Sequence, residues 1–183
     1  YKLLAHSFED AALGHQLEGD ILNAFNDRQA IDAYQRAIDQ YVVHNRLIEA
    51  AALYEQLDAL APHSMQTLKA LIGLYKKLAL SAPLVDAYCR LSVAYAEHKN
   101  FHELEVCIAD VRRDVPQADQ GRVFECVCIM LVKHQANATI TERVIESVIA
   151  ELSAHENSSH LFSLITSLQA VDQQWYEYAT TLI

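Results

Sequence analysis

Glycine and proline are scarce in this chain, with four Gly and three Pro in 183 residues. Strand-rich folds need a turn every few residues, and such turns are built from Gly, Pro and Asn. The shortage sets those folds aside and favours helix. Basic residues are also few: 14 Lys and Arg stand against 24 Asp and Glu, a formal charge of −10. Nucleic-acid affinity comes from cations that neutralise phosphates, and attraction to anionic bilayers needs the same cations. Neither is an expected partner. No apolar run reaches the roughly 18–20 residues of a membrane-spanning helix, so direct insertion is not expected. The four cysteines, Cys89, Cys107, Cys126 and Cys128, lack the short regular spacing of a disulfide framework, which points to a reducing, cytoplasmic setting.

Catalytic signatures are absent as well. The chain contains no GxGxxG, no P-loop and no GxSxG, and no paired carboxylates framed by a loop-built pocket. The expectation is a protein without enzymatic activity, cofactor or metal. His98 and His102 would share a face on one continuous helix, but Lys99-Asn100 reads as a break between them and the Glu of an HExxH motif is missing. Cys126 and Cys128 diverge by about 200° on a helix, and both read as small buried hydrophobes. Two glycosylation sequons, at Asn137 and Asn157, fall on expected turns and are read as chance matches.

What the chain has is apolar material in helical order. Hydrophobic residues make up 52% and charged residues 21%, enough to bury a sizeable core. Charge is uneven: residues 1–60 carry ten acidic and four basic side chains, 61–116 six and seven, and 117–183 eight and three. The first residue is Tyr1 and the last apolar pattern runs into Ile183, which reads as one domain cut from a longer protein.

Apolar residues at 3.6-residue spacing predict helices over about 7–24, 28–43, 46–60, 64–79, 83–98, 101–114, 118–134, 140–154 and 158–170, with a last one from about 172. On the first, Phe8, Ala11, Ala12, Leu17, Ile21 and Leu22 form the expected inner face. Asn26-Asp27, His44-Asn45, Pro62 with Ser64, Ser81-Ala82-Pro83, Lys99-Asn100 and Pro116 supply the breaks and caps. Short connections between helices of similar length allow either a closed bundle or a stack of helix pairs. The spacing of Ala30, Tyr34 and Ala37 returns at Ala50, Tyr54 and Leu57. A bundle has no reason to repeat such a pattern, so the stack is favoured.

These residues resemble the tetratricopeptide (TPR) repeat, whose unit pairs two helices around small and aromatic positions. Residues 31–64 supply Tyr41, Ala50, Tyr54, Leu57 and Pro62. Residues 65–98 supply Leu68, Leu71, Tyr75, Tyr88 and Leu91. A third, overlapping frame from Val85 supplies Tyr95, Leu104, Ile108, Val111 and Pro116. The tight-packing glycine of the family is replaced by Ile38, Ile72 and Ser92. The resemblance covers about 28–116, and 117–183 follows only in periodicity. It implies an all-α, right-handed superhelical array of antiparallel helix pairs, a TPR-like α-solenoid. Ala30 to Leu57 is also similar to the soluble NSF attachment proteins, which bind SNARE bundles.

Function follows from the resemblance. Such arrays are scaffolds or adaptors that bind a peptide or helix of a protein partner on the concave face. In the 65–98 frame that face carries Gln66, Lys69, Gly73 and Lys76, then Asp86 and Arg90. Lys69 matches the first position of the carboxylate clamp found in chaperone-type members, and Gly73 stands where they have Asn. That departure argues against a clamp, and Lys69, Lys76 and Lys77 read first as a solvated helix face. Trp175, with Tyr176 and Tyr178, is a further candidate contact because aromatic residues are enriched in interface hot spots. The alternatives are a regulatory or oligomerisation segment of an enzyme or transcription regulator, and an adaptor for helical bundles.

Overall fold

Periodicity and breaks translate into helices nearly one for one. The computed structural model describes residues 10–62, 64–154 and 158–183. Among the described residues it contains ten α-helices and no strand. They are α1 (Ala11–Ala24), α2 (Gln29–Val43), α3 (Leu47–Leu60), α4 (Met65–Leu78), α5 (Ser81–Glu97), α6 (Phe101–Asp114), α7 (Gln117–Lys133), α8 (Ala138–Ala154), α9 (Ser158–Val171) and α10 (Gln173–Thr181). The expected inner-face residue Phe8 lies outside the described residues, as does Asn157 of the second sequon. Pro83 falls in the first turn of α5, where its missing N–H costs nothing.

The turns explain how a chain this poor in glycine makes so many reversals. Asn26, Asn45, Ala79, Lys99 and Gln135 all adopt left-handed backbone with φ of 54–58°, and no glycine does. After four of these helices the same six-residue loop closes. Asp27, Arg46, Asn100 and Ala136 each donate a backbone N–H of 2.8–2.9 Å to the carbonyl five residues back. That bond satisfies a carbonyl the helix end would otherwise orphan. Helix starts are capped by side chains: Asp10 accepts from Ala12 and Leu13, Ser64 from Thr67, and Asp172 from Gln174 and Trp175. Asn137 of the first sequon accepts from Thr139 at 2.9 Å in the same way.

The chain divides into two compact units, residues 1–79 and 80–183. In the N-terminal unit each helix packs on the next in sequence, α1 on α2, α2 on α3 and α3 on α4. Tyr34 donates to Asp20 at 2.8 Å and Tyr41 to Gln16 at 2.6 Å, so α1 and α2 run antiparallel. Gly19 makes this contact close: a Cβ there would lie 2.5 Å from the Tyr34 ring. Ala30, Ala33, Tyr34, Ala37, Ile38 and Tyr41 form the buried face of α2. Two expectations shift here. On α1, Ala11 is exposed and the buried glycines Gly14 and Gly19 take part in the inner face with Ala12 and Leu22. On α3, Tyr54 is only half-buried and Leu53 is the deeply buried residue.

In the C-terminal unit consecutive helices pack together and so do alternate ones, α5 on α7, α7 on α9, α6 on α8 and α8 on α10. Cross-helix bonds show the directions. Cys126 reaches the Cys89 carbonyl, Arg112 reaches Ser147 and Glu151, Arg143 reaches Glu105, Ser163 and Ser167 reach Glu125, and Tyr178 reaches Glu146. Partners in these bonds are 32–42 residues apart in sequence. Bonds at a steady offset mean that alternate helices run parallel. Two layers result, α5-α7-α9 and α6-α8-α10. Gly121 permits the α7–α9 approach, since a Cβ there would collide with the His160 side chain. Ser92 is fully buried, donating to the Tyr88 carbonyl at 2.9 Å and lying 3.9 Å from Cys107 Sγ of α6.

Candidate functional site

The open face of the α5-α7-α9 layer carries a groove of about 590 Å³. Its walls come from α5 (Cys89), α7 (Arg122, Glu125, Cys126, Ile129, Met130) and α9 (Ser167, Ala170, Val171). Polar groups cluster toward the start of α7 and apolar ones toward its end. Glu125 is fixed by two hydroxyls of α9, accepting from Ser163 at 2.9 Å and from Ser167 at 2.6 Å. Arg122 lies 3.7 Å from Asp86, and beyond it a smaller hollow of about 200 Å³ is bordered by Ser81, Val85, Asp119 and His160. Arg122 is thus a divider between two hollows on one helical face.

Two of the expected contact residues lie beside Arg122, outside the groove walls. Asp86 and Arg90 of α5 pair at 3.1 Å, one helical turn apart, and Asp86 also meets Arg122. Gln66, Lys69 and Lys76 are together on the exposed side of α4 in the N-terminal unit. A Cβ at Gly73, between them, would meet nothing within 4 Å. Trp175 is elsewhere again, on α10 of the second layer, half-buried and edge-on to Tyr178 with ring centroids 5.8 Å apart. The Tyr178 hydroxyl is committed to Glu146 at 2.6 Å.

The groove itself was not singled out in the sequence. Glu125, Ile129, Met130 and Ala170 carry no motif, and only the offset between parallel helices brings them together. Cysteine placement also departs from expectation. Cys107 and Cys128 are buried, and burial pushes each thiol up to about 12. Cys126, expected to be a buried hydrophobe, is half-buried and faces the groove, as Cys89 does. The 200° divergence of Cys126 and Cys128 sends one to the groove and the other to the core.

The two histidines four residues apart are on different helices. His98 ends α5 with Nδ1 2.8 Å from the Ala94 carbonyl. His102 is exposed in the first turn of α6 and lies 3.9 Å from Glu105. Lys99, in left-handed backbone, separates them. Among the described residues no three His, Cys, Asp or Glu side chains are grouped to hold a metal ion, and no helix is long and apolar enough to cross a membrane.

No known family model matches this sequence, and no curated protein matches it.

Proposed function

We propose that this chain is a protein-interaction scaffold, a TPR-like right-handed superhelical array that works in the cytoplasm without catalysis. It binds a helix or extended peptide of a partner protein in the α5-α7-α9 groove. The observation that carries this reading is the groove: an apolar channel across three parallel helices with a charged end at Arg122 and Glu125. Pre-built concave sites with few placed polar groups are the usual form of a binding surface, and laying an amphipathic segment into a groove is a recurring recognition mode. The partner segment would place apolar side chains against Ile129, Met130 and Ala170, and a polar group near Arg122.

A photo-cross-linker at Met130 and another at Lys69 in the intact protein separate the two exposed faces. The expected result is cross-linking of a discrete partner from Met130, lost when Ile129→Asp is added. Cross-linking from Lys69 alone, unaffected by Ile129→Asp, would overturn the groove reading and favour the α4 face. In that event Lys69→Glu with Lys76→Glu is the variant that should release the partner.

A further inference from the structure

The groove floor holds a pair of thiols that the binding role does not require. Cys89 on α5 and Cys126 on α7 are 37 residues apart, within the offset between alternate helices, and the parallel packing of α5 on α7 brings them side by side. Cys126 Sγ lies 3.6 Å from the Cys89 carbonyl oxygen, and Cys89 Sγ lies 4.0 Å from the Arg122 carbonyl oxygen. Both are half-buried and both line the open groove, so a small reagent can reach them. Cys107 and Cys128 are only 3% and 0% exposed and have no such access.

We propose that Cys89 and Cys126 are a redox-active dithiol that forms a reversible disulfide between α5 and α7, with Cys89 the attacking and Cys126 the resolving residue. The surroundings divide the roles. The adjacent Cys126 thiol and the nearby Arg122 guanidinium hold the Cys89 thiol below its usual range, whereas the neighbouring Cys89 and burial push Cys126 up. A thiolate is the nucleophile in disulfide exchange.

The oxidant is a small disulfide such as oxidised glutathione. Cys89 thiolate attacks one of its sulfurs, the glutathione S–S bond breaks, and one glutathione leaves as thiolate. Cys126 then gives up its proton to that thiolate or to solvent and attacks Cys89 Sγ. The mixed disulfide breaks, the Cys89–Cys126 bond forms, and a second glutathione leaves. One dithiol is oxidised and one glutathione disulfide is reduced to two thiols. Excess thiol runs the sequence backwards.

Mixtures of reduced and oxidised glutathione, followed by acid quenching and mass spectrometry of the whole chain, test this. The expected product has lost two hydrogens and yields one cross-linked peptide pair. Cys126 and Cys128 share a tryptic peptide, so fragmentation must place the link on Cys126. In Cys126→Ser the resolving thiol is gone and one glutathione should remain on Cys89. In Cys89→Ser neither adduct nor cross-link should form. A wild-type chain that keeps four free thiols, a link through Cys107 or Cys128, or an adduct on Cys126 ahead of Cys89 would each overturn the proposal. The wild-type peptide map decides even if a serine variant fails to fold, which circular dichroism would reveal.

Discussion

In the N-terminal unit each helix leans on its sequence neighbours, while in the C-terminal unit α7 packs on α5, α6, α8 and α9. The ties differ accordingly. The first unit uses tyrosine hydroxyls that donate to Asp20, Gln16 and Glu55 on the preceding helix. The second adds charged and hydroxyl contacts between alternate helices: Arg112 to Glu151, Arg143 to Glu105, and Ser163 and Ser167 to Glu125. A linear chain of contacts lets an end helix open alone, whereas a helix shared by four neighbours ties their openings together. The groove lies on that shared helix, so the proposed binding surface sits on the more braced of the two units. A rigid scaffold lowers the ordering cost of recognition.

The sharpest break in this comparison is a proline in the shared helix. Val127→Pro removes a backbone bond and kinks α7, at a cost of about 3 kcal/mol or more. Hydrogen exchange should then quicken through α5 to α9. Ile21→Pro in α1 should quicken exchange in α1 and its partner α2 alone. Equal spread from both sites would erase the distinction drawn between the units.

Next come the close approaches. Gly19→Ala drives a methyl into the buried Tyr34 ring and Gly121→Ala drives one into His160. Overpacking of this kind costs about 1–3 kcal/mol, and the better helix propensity of Ala returns about 1 kcal/mol. Both variants should melt earlier. Gly19→Ala should be the worse, because Tyr34 is 1% exposed and ringed by α1 and α2 whereas His160 is half-buried and can turn. Thermal melts read by circular dichroism rank them; the reverse order would mean that α7 and α9 fit more tightly than α1 and α2.

The turns sharpen the contrast in the opposite direction. Left-handed backbone strains Lys and Gln more than Asn, whose short polar side chain tolerates it. Lys99→Gly and Gln135→Gly in the C-terminal unit should each stabilise by about 0.5–1 kcal/mol. Asn26→Gly and Asn45→Gly in the N-terminal unit should gain less. The single tryptophan, Trp175, is on α10, so its fluorescence follows the C-terminal unit and shows the larger shift there.

Acid gives the smallest effect and touches the first unit. Asp10 caps α1 and pairs with Arg46, which also meets Glu49 at 2.9 Å and lies 4.5 Å over the Tyr41 ring. Backbone N–H donation from Leu13 and the Arg46 bond hold Asp10 below its ordinary 3.8, and hydrogen bonding holds Glu49 below its ordinary 4.5. Groups with lowered folded values stabilise fully above the ordinary ones and lose that contribution as pH falls through the folded ones. Stability should therefore decline on acidification, by a modest amount because these carboxylates are exposed. Asp10→Asn keeps the cap and removes the charge, so its acid melting curve should be flatter than that of the parent.

Helix positions were legible because each rests on local signals. Apolar spacing, Ser64 as a cap, Pro83 in a first turn and Asn45 at a break all act within a few residues, whereas the expected first helix ran through Asp10, which instead caps α1. Ala30, Tyr34 and Ala37 also pack as their spacing suggests. The second copy of that pattern misled: in α3 the buried residue is Leu53, and Tyr54 sits at the rim. Which of two adjacent residues faces inward depends on where the neighbouring helix lies, and spacing alone does not encode that. The candidate contacts are spread over different helices for the same reason. Asp86 and Arg90 pair on α5 beside Arg122 and Trp175 lies on the other layer, and the residues that form the groove had no motif to announce them.

Scarcity of glycine and proline, the 3.6-residue rhythm and the caps determined by themselves that this chain is helical and where its helices begin and end, because those effects act through the backbone within a turn or two. Only the tertiary structure decided that α7 is shared by four helices, that a groove crosses α5, α7 and α9, and that Cys89 meets Cys126. Those facts rest on contacts between residues more than thirty positions apart. They are set by side-chain volume and by the glycine that lets two helices close, which no local pattern records.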